Sequence, residues 1–97
     1  MKLRFSPRAR GDLVAISDYL TERSPAGARS VERAIRASLR VLELFPGSGR
    51  ALRRRPHVLV LPVPRAPLLI FYTINADELL ILHIRHTARA PAADNEI

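Results

Sequence analysis

The chain of 97 residues has no cysteine, which excludes a disulfide scaffold, a thiolate zinc site and a cysteine nucleophile. No stretch approaches the roughly 18 uninterrupted apolar residues that span a bilayer, and no apolar h-region follows Met1 to Phe5. Secretion and membrane insertion are not expected, and a reducing cytoplasm fits the cysteine usage. Metal-binding spacing is missing too. His57, His83 and His86 have no HxxxH helix pair and no acidic cluster beside them, so neither a metal nor another cofactor is expected. Gly47-Ser48-Gly49 lacks the preceding strand and following helix of an anion-cradling loop. Asp12, Asp18 and Glu22 stand six and four residues apart among several Arg, a pattern of surface ion pairs rather than of paired acid/base carboxylates. No internal repeat is present, and the length leaves room for a single domain, which rules out a large multidomain enzyme.

What the chain has is apolar surface and arginine. With 47% apolar and 26% charged residues it is expected to be globular rather than disordered. The net charge is +7, and fifteen of its sixteen basic residues are Arg, whose planar fork grips phosphates and carboxylates at two points. Residues 46–75 carry five Arg and no acid, making the middle of the chain its positive pole. Such a field attracts RNA, DNA or an acidic protein segment without choosing among them.

Lys2 to Phe5 reads as a short strand. Ser6-Pro7 and Ser24-Pro25 are hydroxyl caps followed by proline at the first helical position. Behind them, Ala9, Leu13, Ile16 and Leu20, then Ala28, Val31, Ile35, Leu39 and Leu42, fall at helical spacing. These segments predict a helical hairpin ending before Phe45-Pro46-Gly47. On the second helix Arg29, Arg33, Arg36 and Arg40 form a basic ridge, either a solvated face or a ligand contact. Gly47 to Pro56, with Arg50, Arg53, Arg54 and Arg55, has loop chemistry and is expected to be mobile. His57 to Val63, Leu68 to Ile74 and Glu78 to Arg85 read as three strands, joined too tightly for crossovers and hence antiparallel.

Both faces of those strands are apolar. Leu68, Ile70, Tyr72 and Ile74 oppose Leu69 and Phe71, while Leu80, Leu82 and Ile84 oppose Leu79 and Ile81. Two helices cover one face, so the other is expected either to present an apolar patch to a partner or to be covered by other segments of the chain. Arg65 between two prolines, and Arg85, His86 and Arg89 at the end of the last strand, form a second basic group. Such a group can stabilise a phosphorane and move protons, dock on an acidic partner, or be merely solvated. Residues 92–97 read as a flexible tail behind a single domain spanning 1–91.

The order of strand, helical hairpin, arginine loop and meander resembles the ParE/RelE superfamily of toxins from type II toxin–antitoxin modules, most closely the ParE branch. F-S-P-R-A near the start, the link L-F-P-G-S-G-R and the run L-L-I-F-Y-T-I-N-A-D-E-L-L-I-L-H-I-R-H-T-A-R near the end carry the likeness. It extends from Leu3 to about Pro91. The resemblance implies an α+β fold, with the N-terminal strand and hairpin packed on an antiparallel sheet. It also implies a cytoplasmic growth inhibitor neutralised by a cognate antitoxin in a hetero-oligomer. The ParE branch implies DNA gyrase as target, and the RelE branch implies cleavage of ribosome-bound mRNA. A third alternative is a nontoxic relative that binds RNA or sequesters antitoxin. RelE-type cleavage implies basic residues on the sheet and a tyrosine in a C-terminal helix. Arg89 matches a strand-end cation, but Leu68 stands where a catalytic Arg is expected and Asn95 lies near the tyrosine position. This departure favours a binding toxin over an enzyme. The residues expected to contact the target are Arg50, Arg53, Arg54, Arg55, Arg65, Arg85, His86 and Arg89, with Arg65, His86 and Arg89 the weak catalytic candidates.

Overall fold

Two serine–proline pairs set the helices of the computed structural model, which describes residues 1–87. Strand β1 (Lys2–Phe5) leads into α1 (Pro7–Arg23), whose cap Ser6 accepts the Ala9 N–H at 3.0 Å. Ser24 alone joins α1 to α2 (Pro25–Leu44). Its N–H donates to the Leu20 carbonyl at 2.8 Å while its hydroxyl accepts from Gly27 at 3.1 Å. One residue thus closes one helix and opens the next, which forces the hairpin to turn back at once.

After a 3-10 turn at Pro46–Ser48 come β2 (Arg50–Ala51), β3 (Leu59–Pro62), β4 (Leu68–Asn75) and β5 (Glu78–His86). They form a five-stranded sheet in the order β1-β5-β4-β3-β2, antiparallel except where β1 runs parallel to β5 at its edge. The predicted meander is present with somewhat different bounds, and β2 is an addition to it. The core between helices and sheet holds Ala9, Ile35, Leu42, Leu68, Ile70, Tyr72, Leu79, Ile81 and Ile84. Full burial of each large aliphatic side chain contributes about 1.5–3 kcal/mol.

Simple alternation fails on β5. Leu79, Ile81 and Ile84 share the core, whereas alternation groups Ile84 with Leu80 and Leu82. The cause is a bulge. Phe71 pairs with His83 and Tyr72 with Ile81, leaving Leu82 as the extra residue. The cap of α1 grips this point, for Ser6 donates from its N–H to the Ile81 carbonyl at 2.9 Å and from its hydroxyl to the Leu82 carbonyl at 2.8 Å.

The segment expected to be a mobile loop is tied down. Arg50 and Ala51 pair with Val60 and Leu59, and the buried Tyr72 hydroxyl accepts from the Gly49 N–H at 2.8 Å while donating to the Pro46 carbonyl at 2.7 Å. A Cβ on Gly49 would stand 2.5 Å from that phenol oxygen, so this close approach requires glycine. Tyr72→Phe leaves both backbone groups without the phenol, and it is expected to cost about 1–3 kcal/mol, read as a lower urea midpoint. Burial raises the Tyr72 phenol above its ordinary pKa, while the Gly49 N–H and the Ser48 side chain pull it back. Below the unfolded phenol's pKa the Tyr72 contribution is complete. Above it the unfolded chain ionises first, so stability falls as pH rises through the folded value. Subtracting the Tyr72→Phe curve from that of the natural chain isolates this alkaline loss.

Candidate functional site

The hairpin arginines Arg53, Arg54 and Arg55 and the Arg65, Arg85 and His86 group lie at opposite ends of the sheet, with Arg50 between them. Arg50 is on β2, and Arg53, Arg54 and Arg55 sit in the β2–β3 hairpin, closed by hydrogen bonds from Leu52 N–H to the Val58 carbonyl and from Val58 N–H to the Arg55 carbonyl. Thr73 near the far end of β4 donates to the His57 carbonyl at 2.7 Å, holding this hairpin there. Arg65 lies in the β3–β4 turn, at the end where the Thr87 N–H meets the Pro67 carbonyl at 2.7 Å. Arg85 and His86 end β5 on that side. Arg53, Arg54 and Arg55 lie beyond the Leu59–Tyr72 pair and Arg65 beyond the Pro62–Leu69 pair, while Arg50, level with Val60 and Phe71, stands between these two ends. Arg65 therefore joins Arg85 and His86 and not the hairpin arginines. Arg89 lies outside the described residues.

Within the first group Arg50, Arg53 and Arg54 are exposed and Arg55 is half-buried. In the second, Arg85 and His86 point to opposite faces. Arg85 sits 5.8 Å from the centre of the Phe71 ring, on the face away from the helices, whereas His86 borders a recess with Tyr19, Leu20 and Leu68 on the helix side. Arg65 has a backbone φ of 64°, the left-handed region, which side chains other than glycine rarely adopt. The turn is held by Leu68 N–H on the Ala66 carbonyl at 2.8 Å and by Val63 N–H on the Leu68 carbonyl at 2.9 Å. On α2 the basic ridge is exposed, with Arg36 on Glu32 at 2.7 Å.

On the second sheet face Val60, Leu69 and Leu80 are half-buried and Phe71 is buried. Phe71 is only 4% exposed, with the His83 ring stacked at 5.6 Å and the Arg85 guanidinium above it. The strongly exposed apolar side chains are instead on the helices and the corner after α2, led by Leu44 at 68% and Phe45 at 65%.

Sequence reasoning missed one constellation, joining residues far apart in the chain. Asp12 Oδ2 accepts from His83 Nδ1 at 2.7 Å and from the Ile84 N–H at 2.9 Å. A carboxylate can only accept, so Nδ1 carries the proton, and in the neutral ring Nε2 accepts from Arg8, 3.5 Å away. Beyond the end of β1, Asp12 serves β5 as a substitute for a neighbouring strand. Nothing in the spacing of Asp12 and His83 announces this pair. Asp12 and His83 stand 71 residues apart in the chain, a separation across which no local pattern reports.

Among the described residues no group of three or more His, Asp or Glu gathers to hold a metal, and no helix is long and apolar enough to cross a membrane. The model of the ParE toxin of type II toxin-antitoxin system, parDE, matches residues 3–91. A solved structure, described as a chromosomal ParDE TA system from P. aeruginosa, superposes with a TM-score of 0.75 at 25% identity, covering 89% of this chain and 95% of that one. A search of curated protein sequences returns no match.

Proposed function

The chain belongs to the ParE toxin family of type II toxin–antitoxin systems, and we propose that it arrests growth by binding DNA gyrase and stabilising the cleaved DNA complex, held in check by a cognate antitoxin. The observation that carries binding over RNA cleavage is Leu68. At the position where the RelE pattern calls for a catalytic cation, this side chain is buried in the core against the helices. Neither tyrosine takes up the missing acid. The Tyr72 hydroxyl is committed to Gly49 and Pro46, and the Tyr19 ring on α1 lies 3.8 Å beneath the Arg23 guanidinium. With leucine in place of that cation and neither phenol free, the particular groups that the RelE pattern uses for phosphorane charge and proton transfer have no counterpart among the described residues. The exposed hairpin arginines favour association with an acidic macromolecule instead. In this reading they and Arg65, Arg85 and His86 contact the target, in the cytoplasm, and antitoxin and toxin form a hetero-oligomer when the toxin is silent.

The test is expression of the chain alone and together with the open reading frame beside its gene. Growth should stop in the first case and resume in the second. Normal growth on expression alone would favour a nontoxic relative and overturn the proposal. The RelE-like endoribonuclease is the second reading. It draws on the Asp12–His83–Arg8 chain, the one histidine–carboxylate contact among the described residues.

A further inference from the structure

The basic ridge of α2 takes no part in the proposed target contact. Arg29, Arg33, Arg36 and Arg40 recur at intervals of four, three and four residues, which keeps them on one face of a single uninterrupted helix, Pro25–Leu44. All four are exposed. Arg36 meets Glu32 at 2.7 Å, while Arg29, Arg33 and Arg40 are in no ion pair among the described residues. An exposed pair of that kind is weak enough for a phosphate to displace it. Like charges at helical neighbour spacing repel one another, and an anion aligned with the ridge removes that cost.

We propose that this ridge binds the phosphate backbone of duplex DNA without regard to sequence. From Arg29 to Arg40 the helix axis advances about 16 Å, and over that length one DNA strand carries about five phosphates at roughly 3.4 Å each. Four guanidinia in line therefore match the anions they face, and each fork takes a phosphate oxygen pair. The line is fixed before binding, because Ile35 and Leu42 bury the opposite side of α2 in the core. The neighbours decide the class of partner. Ser30 and Ala37 beside the ridge are small and exposed, so a backbone approaches closely. No large apolar side chain stands on this face between Arg29 and Arg40 to fill the desolvated centre of a protein interface. Nor does α2 contain an aromatic residue for the bases of a single strand to stack on. This contact lies beyond the gyrase reading and does not depend on it, since the hairpin arginines belong to a different element.

The experiment titrates the full chain into a short fluorescent DNA duplex of random sequence and reads anisotropy between about 50 and 200 mM salt. Four neutralised phosphates contribute about −3.6 to the slope of log affinity against log salt, which is a loss of roughly a hundredfold over that range. Alanine at Arg29, Arg33, Arg36 and Arg40 together should flatten the slope by about three, with the melting temperature kept because alanine favours the helix. Lysine at the same four positions retains the charges and should hold the slope within about one of the natural chain. Alanine at Arg50, Arg53, Arg54 and Arg55 removes equal charge from elsewhere and should also leave the slope within about one. A duplex of unrelated sequence should bind within about twofold. Absence of duplex binding, a slope untouched by the ridge variant, equal flattening by the hairpin variant, or displacement of the duplex by polyglutamate at equal charge concentration would each overturn the proposal. Growth arrest does not enter this readout, so failure here leaves the gyrase reading standing, and failure of that reading leaves this one.

Discussion

Asp12→Ala is expected to lower stability by roughly 2–4 kcal/mol, because the His83 Nδ1–H and the Ile84 N–H lose their shared acceptor in a part-buried site. For a domain of this size that is a fall in Tm on the order of 10 °C or more. The carboxylate is the strand partner of β5 beyond β1, so its loss frees the first turns of α1 from the sheet. Asp12→Asn keeps one acceptor oxygen and should cost less, about half as much if the Ile84 bond is retained. Hydrogen exchange reads the difference directly, since the Ile84 amide should lose protection in the alanine variant and keep part of it in the asparagine variant. A fall below about 0.5 kcal/mol for Asp12→Ala would show that solvent replaces the carboxylate freely and that the pair does not anchor the helix.

Replacing Arg50, Arg53, Arg54 and Arg55 together with alanine is expected to abolish growth inhibition at equal expression while leaving the fold in place. Three of the four are exposed, and none is in an ion pair among the described residues. Each truncation should therefore change stability by no more than about 0.5 kcal/mol. If even two of them make charge-assisted contacts to the target, the loss at about 1.5 kcal/mol each weakens binding roughly a hundredfold or more. Replacing Arg29, Arg33, Arg36 and Arg40 of the helix ridge together with alanine provides the comparison of matched charge and should leave inhibition nearly intact. Toxicity that survives the hairpin changes would move the target contact elsewhere, with Arg65 and Arg85 the next residues to examine.

The elements governed by local chemistry were legible in the sequence. Ser6-Pro7 and Ser24-Pro25 announce both helices, and the tight connections announce an antiparallel meander, because caps and turns act over a few residues. Long-range contacts were not legible in the same way. Alternation assigns Ile84 to the wrong face since it has no means of counting the bulge residue Leu82, which is stabilised by Ser6 from the other end of the chain. The glycine- and arginine-rich segment reads as mobile until Tyr72 is seen holding Gly49 and Pro46. Composition counts the cations in 46–75 as one pole, yet β4 puts Arg65 at the end of the sheet away from the hairpin. The Asp12–His83 contact joins residues 71 apart in the chain, a separation across which neither spacing nor periodicity reports. The family likeness came from the order of elements and short motifs, and the family match extends over residues 3–91.

The most direct measurement is of covalent gyrase–DNA complexes in cells expressing the chain, taken alongside mapping of mRNA ends on ribosomes. The account predicts that cleaved DNA bound to gyrase accumulates before growth stops, disappears when the antitoxin is supplied, and is absent for the hairpin variant. In-frame cuts in ribosome-bound mRNA with no rise in gyrase–DNA complexes would contradict it, and would make the chain a nuclease despite the leucine at position 68.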